Sequence, residues 1–568
     1  MSGPGHEGQR SLKVPRENNT FLCTPHAGNA QRLLRQNQSQ KDSQSQADWI
    51  RPLQTLARTQ ALQAARDYTS TYAPQSILNA GAEPSNLVVG GHQPELFHPG
   101  VWFKNVLLSK IAQSTSSCGL HVIIDHDLAR LDAIRVPAQS TATMDSFEHG
   151  IGYEKGELYQ TAIALPIRSD FGNRLPWHLT LTDGTDLSRW RKAIDQIASG
   201  LASCGAFGSI AQDRFPLLSE CLSKCKNFSD VFSQFRHRIE IEHGVSNLEV
   251  PIGSICDASA FGRFVYHCVA DADSLWSIYN RCRSEYRHRH SIRNQAQPVP
   301  ELLREDGMLE LPFWIYKRDV ASFTDRKRLW LFVDSSQSSD EYQLVDHPDP
   351  AQRTIWLSLP RDPKQVEWAW SRWVDEGVCI RPRALMTTLF LRCFVADLFV
   401  HGIGGGAYDE LTDAIILAWL GMEPPEYITC SASLHLGLSA SGDAQVESMQ
   451  RAHRELQLMR SVPERFLDTT QSDQKQLFDE HAQLLTHIPE RGKKRAWHAE
   501  VIRAKAQMES AIAEQKRIAI AELQSLYRTQ HRNKIRDSRE FSFCLFREAD
   551  ILSRLIHLAD QAMDVLSS

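Results

Sequence analysis

The chain lacks charge of one sign, paired cysteines, and any uninterrupted apolar run of membrane-spanning length. Across 568 residues, 63 Lys+Arg against 68 Asp+Glu leave a net charge of only −5. So weak an overall field argues against a general polyanion-binding surface, whether for nucleic acid or anionic membrane. The 12 cysteines contain no CxxC, and apart from Cys221 and Cys225 they are scattered singly. With no His pair at zinc-finger spacing, a structural zinc site is not expected, and dispersed thiols point to a reducing, cytoplasmic setting. The opening MSGPGHEGQRSLKV has no apolar core, which speaks against a secretory signal. The longest apolar stretch, Leu385 to Ile403, is interrupted by Arg392 and Asp397. Both are costly at a bilayer centre, so the stretch predicts a buried helix running into a strand or loop. GxSxG, GxxxxGK[ST] and HExxH are also absent, which removes the usual support for a serine hydrolase, a P-loop ATPase or a zincin.

What is present alternates strand-like and helix-like segments. NLVVGG reads as a short buried strand, HQPELFHPG as a turn, VWFKNVLLSKIAQ as a helix and HVIID as a second strand. Strand, loop, helix and strand at this spacing make a βαβ unit, so the expected class is α/β with a mostly parallel sheet. AIRVPA, YQTAIALPI, LWLFVD and TIWLSLP read as further strands, and YDELTDAIILAWLG as an amphipathic helix stopped by Pro424-Pro425. Four regions follow. Residues 1–60 are Gln/Ser-rich and predict a flexible polar arm, turning helical near Trp49 to Tyr68. Residues 75–440 form the α/β body. Over 441–535, Val501, Met508, Ile512, Ala519, Leu523 and Leu526 recur as on one helix face, predicting a helical hairpin or coiled coil. The apolar segment 536–568 is expected to pack back on the body.

Three loops concentrate reactive side chains. The first, Gly90 to Gly100, lies between a strand end and a helix start, where ligands bind in open α/β sheets. The amides opening that helix and Lys104 favour an anion, and His92 or His98 suits phosphate contact or proton transfer near neutral pH. Asp125-His126-Asp127 follows the second strand and is expected at the same sheet edge. Ligand contact there competes with simple capping by Asp127, and the residues lack metal-ligand spacing, so no metal is assigned. The third, Gly402-Ile403-Gly404-Gly405-Gly406-Ala407, formally fits GxGxxA. Acidic residues directly behind the glycines disfavour a pyrophosphate and suggest instead that Asp409, Glu410 or Asp413 holds an amino group or activates a nucleophile. Arg281, Arg283, Arg287, Arg289 and Arg293, interleaved with His288 and His290, read as a solvated basic helix end.

Taken in order, LVVGGHQPELFHPGVWFKN, IIDHDLARLD, YNRCRSEYRHRHSIRNQAQPVP, RPRALMTTLFLRCFVADLFVHGIGGGAYDE and MEPPEYITCSASLHL resemble the bacillithiol-biosynthesis cysteine-adding enzyme family. The resemblance runs from about residue 75 onward. It implies a Rossmann-like core related to nucleotidyltransferases, a C-terminal coiled coil used in homodimerisation, and amide formation between cysteine and an amino-sugar malate glycoside. Carried onto this sequence, it places Gly91, His92, Gln93, Phe97, His126, Asp127, Asp397, Gly404, Gly405 and Gly406 around the substrates. Two departures stand out: His92 replaces the first Gln of the family's loop, and Gly-Gly-Gly-Ala replaces Gly-Pro-Gly-Glu, so Ala407 lacks a carboxylate that Asp409 or Glu410 would supply. The expected function is therefore a ligase joining cysteine or a similar amino acid to a sugar-like acceptor. His92, His98, Asp409 and Glu410 are its candidate catalytic residues, and a nucleotide (ATP or ADP) its candidate energy source. A nucleotidyltransferase acting on another small molecule and a non-catalytic dimeric scaffold are the alternatives.

Overall fold

The computed structural model describes residues 12–43, 47–79, 86–141, 144–148, 151–153, 156–167, 175–293, 299–320, 323, 325–333, 340–438 and 446–564. Strands β1 (Thr20–Thr24), β2 (Leu87–His92), β3 (Cys118–Ile123), β4 (Leu248–Pro251), β5 (Leu398–His401) and β6 (Tyr427–Ser433) form one six-stranded sheet. Their spatial order is β1-β6-β5-β2-β3-β4, and every neighbouring pair is parallel except β1 with β6. The protein is thus mixed α/β with a mostly parallel main sheet. Leu87, Val88 and Val89 are all fully buried, the run expected of a strand covered on both faces. Leu87 and Val89 join the core on one face and Val88 the core on the other.

Helix α1 (Ile50–Ser70) covers the first face and α2 (Pro99–Ser114) the second. In α2 the large apolar side chains Trp102, Phe103, Val106, Leu107 and Leu108 are all fully buried. Helix α3 (Phe228–Glu242) packs beside α2, and α4 (Ile403–Ile415) runs from β5 toward β6. The last helix, α5 (Glu548–Met563), lies along α2 and brings the chain's end back to the sheet. The Leu385 stretch folds as helix Ala384–Phe390, one wide π-type turn Leu391–Val395, and then β5.

The strand-like segments LWLFVD and TIWLSLP are strands but lie outside the parallel sheet. Met308–Lys317, Lys327–Phe332, Glu341–Val345, Trp356–Pro360 and Val378–Pro382 build a second, antiparallel sheet. Most of their connections are too short to hold a crossover helix, which leaves hairpin pairing. AIRVPA pairs with Leu158–Ala164 in a separate two-stranded ribbon. Residues 446–536 form helices Val446–Ser461, Ser472–Thr486, Lys494–Ala511 and Ala513–Arg536. Met508, Ile512 and Ala519 are buried between them, while the helical path breaks at Ile512.

Two expectations are corrected. Residues 1–11 and 44–46 lie outside the described residues, but the rest of the supposed flexible arm is folded. β1 extends the main sheet, and residues 30–43 and 50–70 are helical. The helix at 50–70 agrees with the expected helical turn near Trp49 to Tyr68, its stripe Leu53, Ala57, Ala61 and Ala65 lying at helical spacing beneath a Gln-rich outer face. The departures from a flexible arm are β1 and the helix at 30–43. The second correction is Asp397, which precedes β5 and so sits at the opposite end of the sheet from the glycine loops. Its Oδ2 accepts the Leu87 amide at 2.7 Å, and its carboxylate pairs with Lys41 at 3.1 Å and with Arg58. It is a clamp tying the helices of the N-terminal segment to two adjacent strands. No described helix is long and apolar enough to cross a membrane.

Burial alone would raise the Asp397 pKa, but Lys41 and Arg58 hold it below its ordinary value. Asp397→Ala is therefore expected to cost about 2–3 kcal/mol in urea unfolding, because a buried amide and two cations lose their acceptor. Asp397's contribution is present above the unfolded carboxylate pKa of about 3.9 and fades as pH falls through the lower folded value. A variant as stable as wild type at pH 7 would rule out the clamp.

Candidate functional site

In the main sheet, β2 and β5 lie side by side and parallel, yet the chain leaves them in opposite directions. From β2 it passes through α2 to β3, and from β5 through α4 to β6 on the other side. The carboxyl ends of two such strands open a crevice between the diverging connections, where ligands bind in open α/β sheets. A cavity of about 520 Å³ occupies this place. Its floor comes from the ends of β2, β3 and β5, and its walls include Trp314 and Pro382 of the second sheet and Arg539 and Glu540 of the C-terminal segment.

The first loop supplies Gly91, His92, His98 and Lys104 to the cavity. His92 contacts the Gln93 carbonyl through Nδ1 at 3.1 Å and meets the Phe97 ring edge-on. Burial, helped by Lys104, pushes its pKa down to about 3, so the ring is neutral. His98 is the N-cap of α2, its Nδ1 accepting the Gly100 amide at 3.1 Å. Burial brings its pKa down to about 4, although Glu540 opposes the shift. Cap duty commits one nitrogen, leaving Nε2 for other contacts. Lys104 is buried in α2 and donates to the Gly91 carbonyl, and burial lowers its pKa to about 8. Phe97 packs against Phe543 and is a core contact with the C-terminal segment.

The loop after β3 brings His126 and Asp127 to the same cavity. Gln93 Nε2 donates to Asp127 Oδ2 at 2.6 Å, and Arg326 pairs with Oδ1 at 3.0 Å. His126 is buried, its Nδ1 has no hydrogen-bond partner, and burial lowers its pKa to about 4. Asp125 points elsewhere, accepting the Gly253 amide at 3.0 Å, and burial raises its pKa to about 6.

The glycine loop opens α4 with Gly402 as an N-cap that offers no side-chain acceptor. Gly402, Gly404 and Gly405 line the cavity, whereas Gly406 packs directly on the Thr429 side chain. The helix start thus presents unsatisfied amides and the positive end of a dipole. The acidic residues behind it do not reach the cavity. Asp409 is 1% exposed, 2.8 Å from Arg392 Nη1 and 2.5 Å from Nε2 of His401. Burial opposes its ionisation, but His401 and Arg392 hold its pKa well below the usual carboxylate range. Glu410 lies away from the cavity, pairing with Arg289 and with His290 at 2.9 Å. The catalytic role expected for Asp409 and Glu410 is corrected accordingly. One is a buried support and the other an anchor for the basic helix end, because successive helical residues cannot share a face. That basic end is itself only partly solvated. Arg283 and Arg287 are buried and donate to the carbonyls of Val299 and Ile292.

Two site residues escaped the sequence reading. His401 ends β5 and lines the cavity, carrying the same signal as His92: a histidine at a strand's carboxyl end beside a glycine. Arg539 reaches the cavity from far along the chain and had no local signal. Its Nη2 donates to Ser431 Oγ at 2.8 Å, and Nη1 is buried without a hydrogen-bond partner. Among the described residues, one group has the spacing to hold a metal: His237, Glu240 and Glu249. Arg236 already bonds both carboxylates, Trp102 and Asn105 add donors to Glu240, and Tyr72 meets His237. That cluster is a charge-compensated support between α3 and β4. Compared with known proteins, the chain matches no family model and no curated sequence.

The glycines separate by what surrounds them. A Cβ on Gly91 would lie 2.6 Å from the Val122 carbonyl oxygen of the adjacent strand, whereas one on Gly404 would meet nothing within 4 Å. Gly91→Ala is expected to destabilise by about 1–3 kcal/mol through overpacking, with Gly404→Ala neutral or slightly stabilising in thermal unfolding. Equal melting temperatures for the two variants would contradict this packing.

Proposed function

We propose that the crevice is the active site of an amide-forming ligase of the cysteine-adding kind, built on a Rossmann-like sheet and working in the cytoplasm. The observation that carries this reading is the convergence of buried Lys104, the partnerless Nη1 of Arg539 and the uncapped start of α4 at the carboxyl ends of β2 and β5. These groups suit the phosphates of a nucleotide, which helix amides and fixed cations stabilise in a low-dielectric cleft. The cavity is large enough for a nucleotide fragment together with a small amino acid. Asp127, at the other side of the floor, suits an ammonium group. The order of the loops agrees with the family resemblance, and His401 offers a histidine where Ala407 lacks the family's carboxylate. All twelve cysteines are free, which agrees with a reducing compartment.

Lys104 loses its charge as pH rises through about 8. ATP affinity is therefore expected to hold below that pH and weaken above it, and Lys104→Met is expected to weaken it at least tenfold at pH 7 and abolish the pH dependence. Isothermal titration of ATP into both proteins, with cysteine-dependent nucleotide cleavage followed in parallel, checks this. Absence of ATP binding to the wild-type protein would overturn the proposal.

The helical region is proposed as the contact of a homodimer with coiled-coil character, since Ile488, Ile502 and Ile518 are exposed on it. Sedimentation is expected to show a dimer that Ile488→Asp with Ile502→Asp converts to monomer. A wild-type monomer would exclude it.

A further inference from the structure

The network behind the glycine helix has no part in binding phosphate, yet it is among the most elaborately supported groups in the molecule. His401 is 4% exposed, and its Nε2 lies 2.5 Å from Asp409 Oδ2. Asp409 is held by Arg392 Nη1 at 2.8 Å, and the same nitrogen lies 2.7 Å from Asp413. Arg392 sits in the wide turn Leu391–Val395 and also stacks over the Tyr427 ring at 4.5 Å. Phe399 and Tyr427 pack on the His401 ring with centroids at 4.5 and 5.0 Å. The ring is therefore fixed on all but one side. The ion-pair contact of the carboxylate with Nε2, which lies off the line of a hydrogen bond, favours the tautomer with its proton there and so leaves the Nδ1 lone pair to accept. Nδ1 lies at the start of the glycine helix, 2.7 Å from where a Cβ on Gly405 would stand, and His401 lines the cavity. Only glycine at 405 leaves room for this ring.

We propose that His401 is the general base that deprotonates the attacking amine, with Asp409 and Arg392 as positioning residues. This rests on the ligase reading above. In the step concerned, the amine of the sugar-like acceptor attacks the carbonyl carbon of the amino acid's acyl phosphate or acyl adenylate. The new C–N bond forms, the C–O bond to phosphorus breaks, and phosphate or nucleoside monophosphate leaves with the bonding pair. The proton shed by the amine passes to His401 Nδ1 and from there to water. The charged and titratable groups facing His401 are Asp409, which favours its protonated form, and Arg392 and Lys104, which oppose it; burial also lowers its pKa. The ring is thus neutral and ready to accept at neutral pH.

The test uses the full-length protein with ATP, cysteine and either of two amines: the amino-sugar malate glycoside, or hydroxylamine, a strong nucleophile already neutral at pH 7 whose attack on an acyl phosphate loses its proton directly to water without an enzymic base. His401→Gln is expected to keep ATP binding within twofold and to keep cysteine-dependent nucleotide cleavage. Transfer to the amino sugar should fall at least a hundredfold, while hydroxamate formation with hydroxylamine stays near wild type. Asp409→Asn, in which Asp413 still pairs Arg392, is expected to move the acidic limb of amino-sugar transfer to lower pH. Loss of both amines alike in a folded His401→Gln protein, or undiminished amino-sugar transfer, would overturn the assignment while leaving the ligase reading intact. A wild-type protein that cleaves no nucleotide with cysteine would overturn both.

Discussion

Everything at the carboxyl edge of the main sheet depends on one constraint. β2 and β5 are parallel neighbours whose following connections must part, since β3 lies on one flank and β6 on the other. Two loops leaving in opposite directions cannot cover the gap between them, so a crevice is inherent in the strand order. The residues around it are chosen by that geometry. Gly91 lets β2 run hard against Val122 at its end, Gly100 lets α2 begin against β6, and Gly406 lets α4 begin against Thr429. Close backbone approach brings two helix starts to one cavity.

A second consequence is electrostatic. Two helix N-termini and buried Lys104 make this edge positive, and the carboxylates nearby are tied down. Asp409 answers Arg392, and Glu240 and Glu249 answer Arg236, while Asp127 pairs with Arg326 through one oxygen and stays partly exposed at the cavity. Each of these buried acids has a specific cation, whereas buried Asp125 accepts the Gly253 amide instead, and burial raises its pKa to about 6. Lys104 and Arg539 face the cavity and the carboxylates of Asp127 and Glu540 also line it, and the histidines around it, His92, His98, His126 and His401, all have lowered pKa values, burial being the first cause in each. Such rings hand protons on more readily than they hold them.

Much of this edge was legible in the sequence. LVVGG followed by a turn and an apolar helix specifies a βαβ unit because strand and helix periods differ, and glycines at a strand's end mark where backbones approach closely. His126 and Asp127 could be placed beside His92 from the strand alone. The Asp397 misreading arose because sequence distance says little about which end of a strand a residue occupies. Asp397 precedes its strand by one residue and therefore lies at the far end of the sheet from His401. Asp409 and Glu410 follow the glycines closely, but the helix turns one inward and the other away. Arg539 was invisible because only tertiary folding returns the C-terminal segment to α2. The helix at 50–70 was legible from its apolar stripe, whereas β1 and the helix at 30–43 were missed because their Gln/Ser-rich surroundings hide their few apolar residues.

The central claim is that nucleotide phosphates sit between the α4 start, Lys104 and Arg539. A crystal structure of the protein grown with a non-hydrolysable ATP analogue and cysteine tests it most directly. Phosphate oxygens are expected at hydrogen-bond distance from the amides of Gly404 and Gly405 and from Lys104 Nζ, with the cysteine amino group near Asp127. A nucleotide bound elsewhere, with this crevice holding only water, would contradict it.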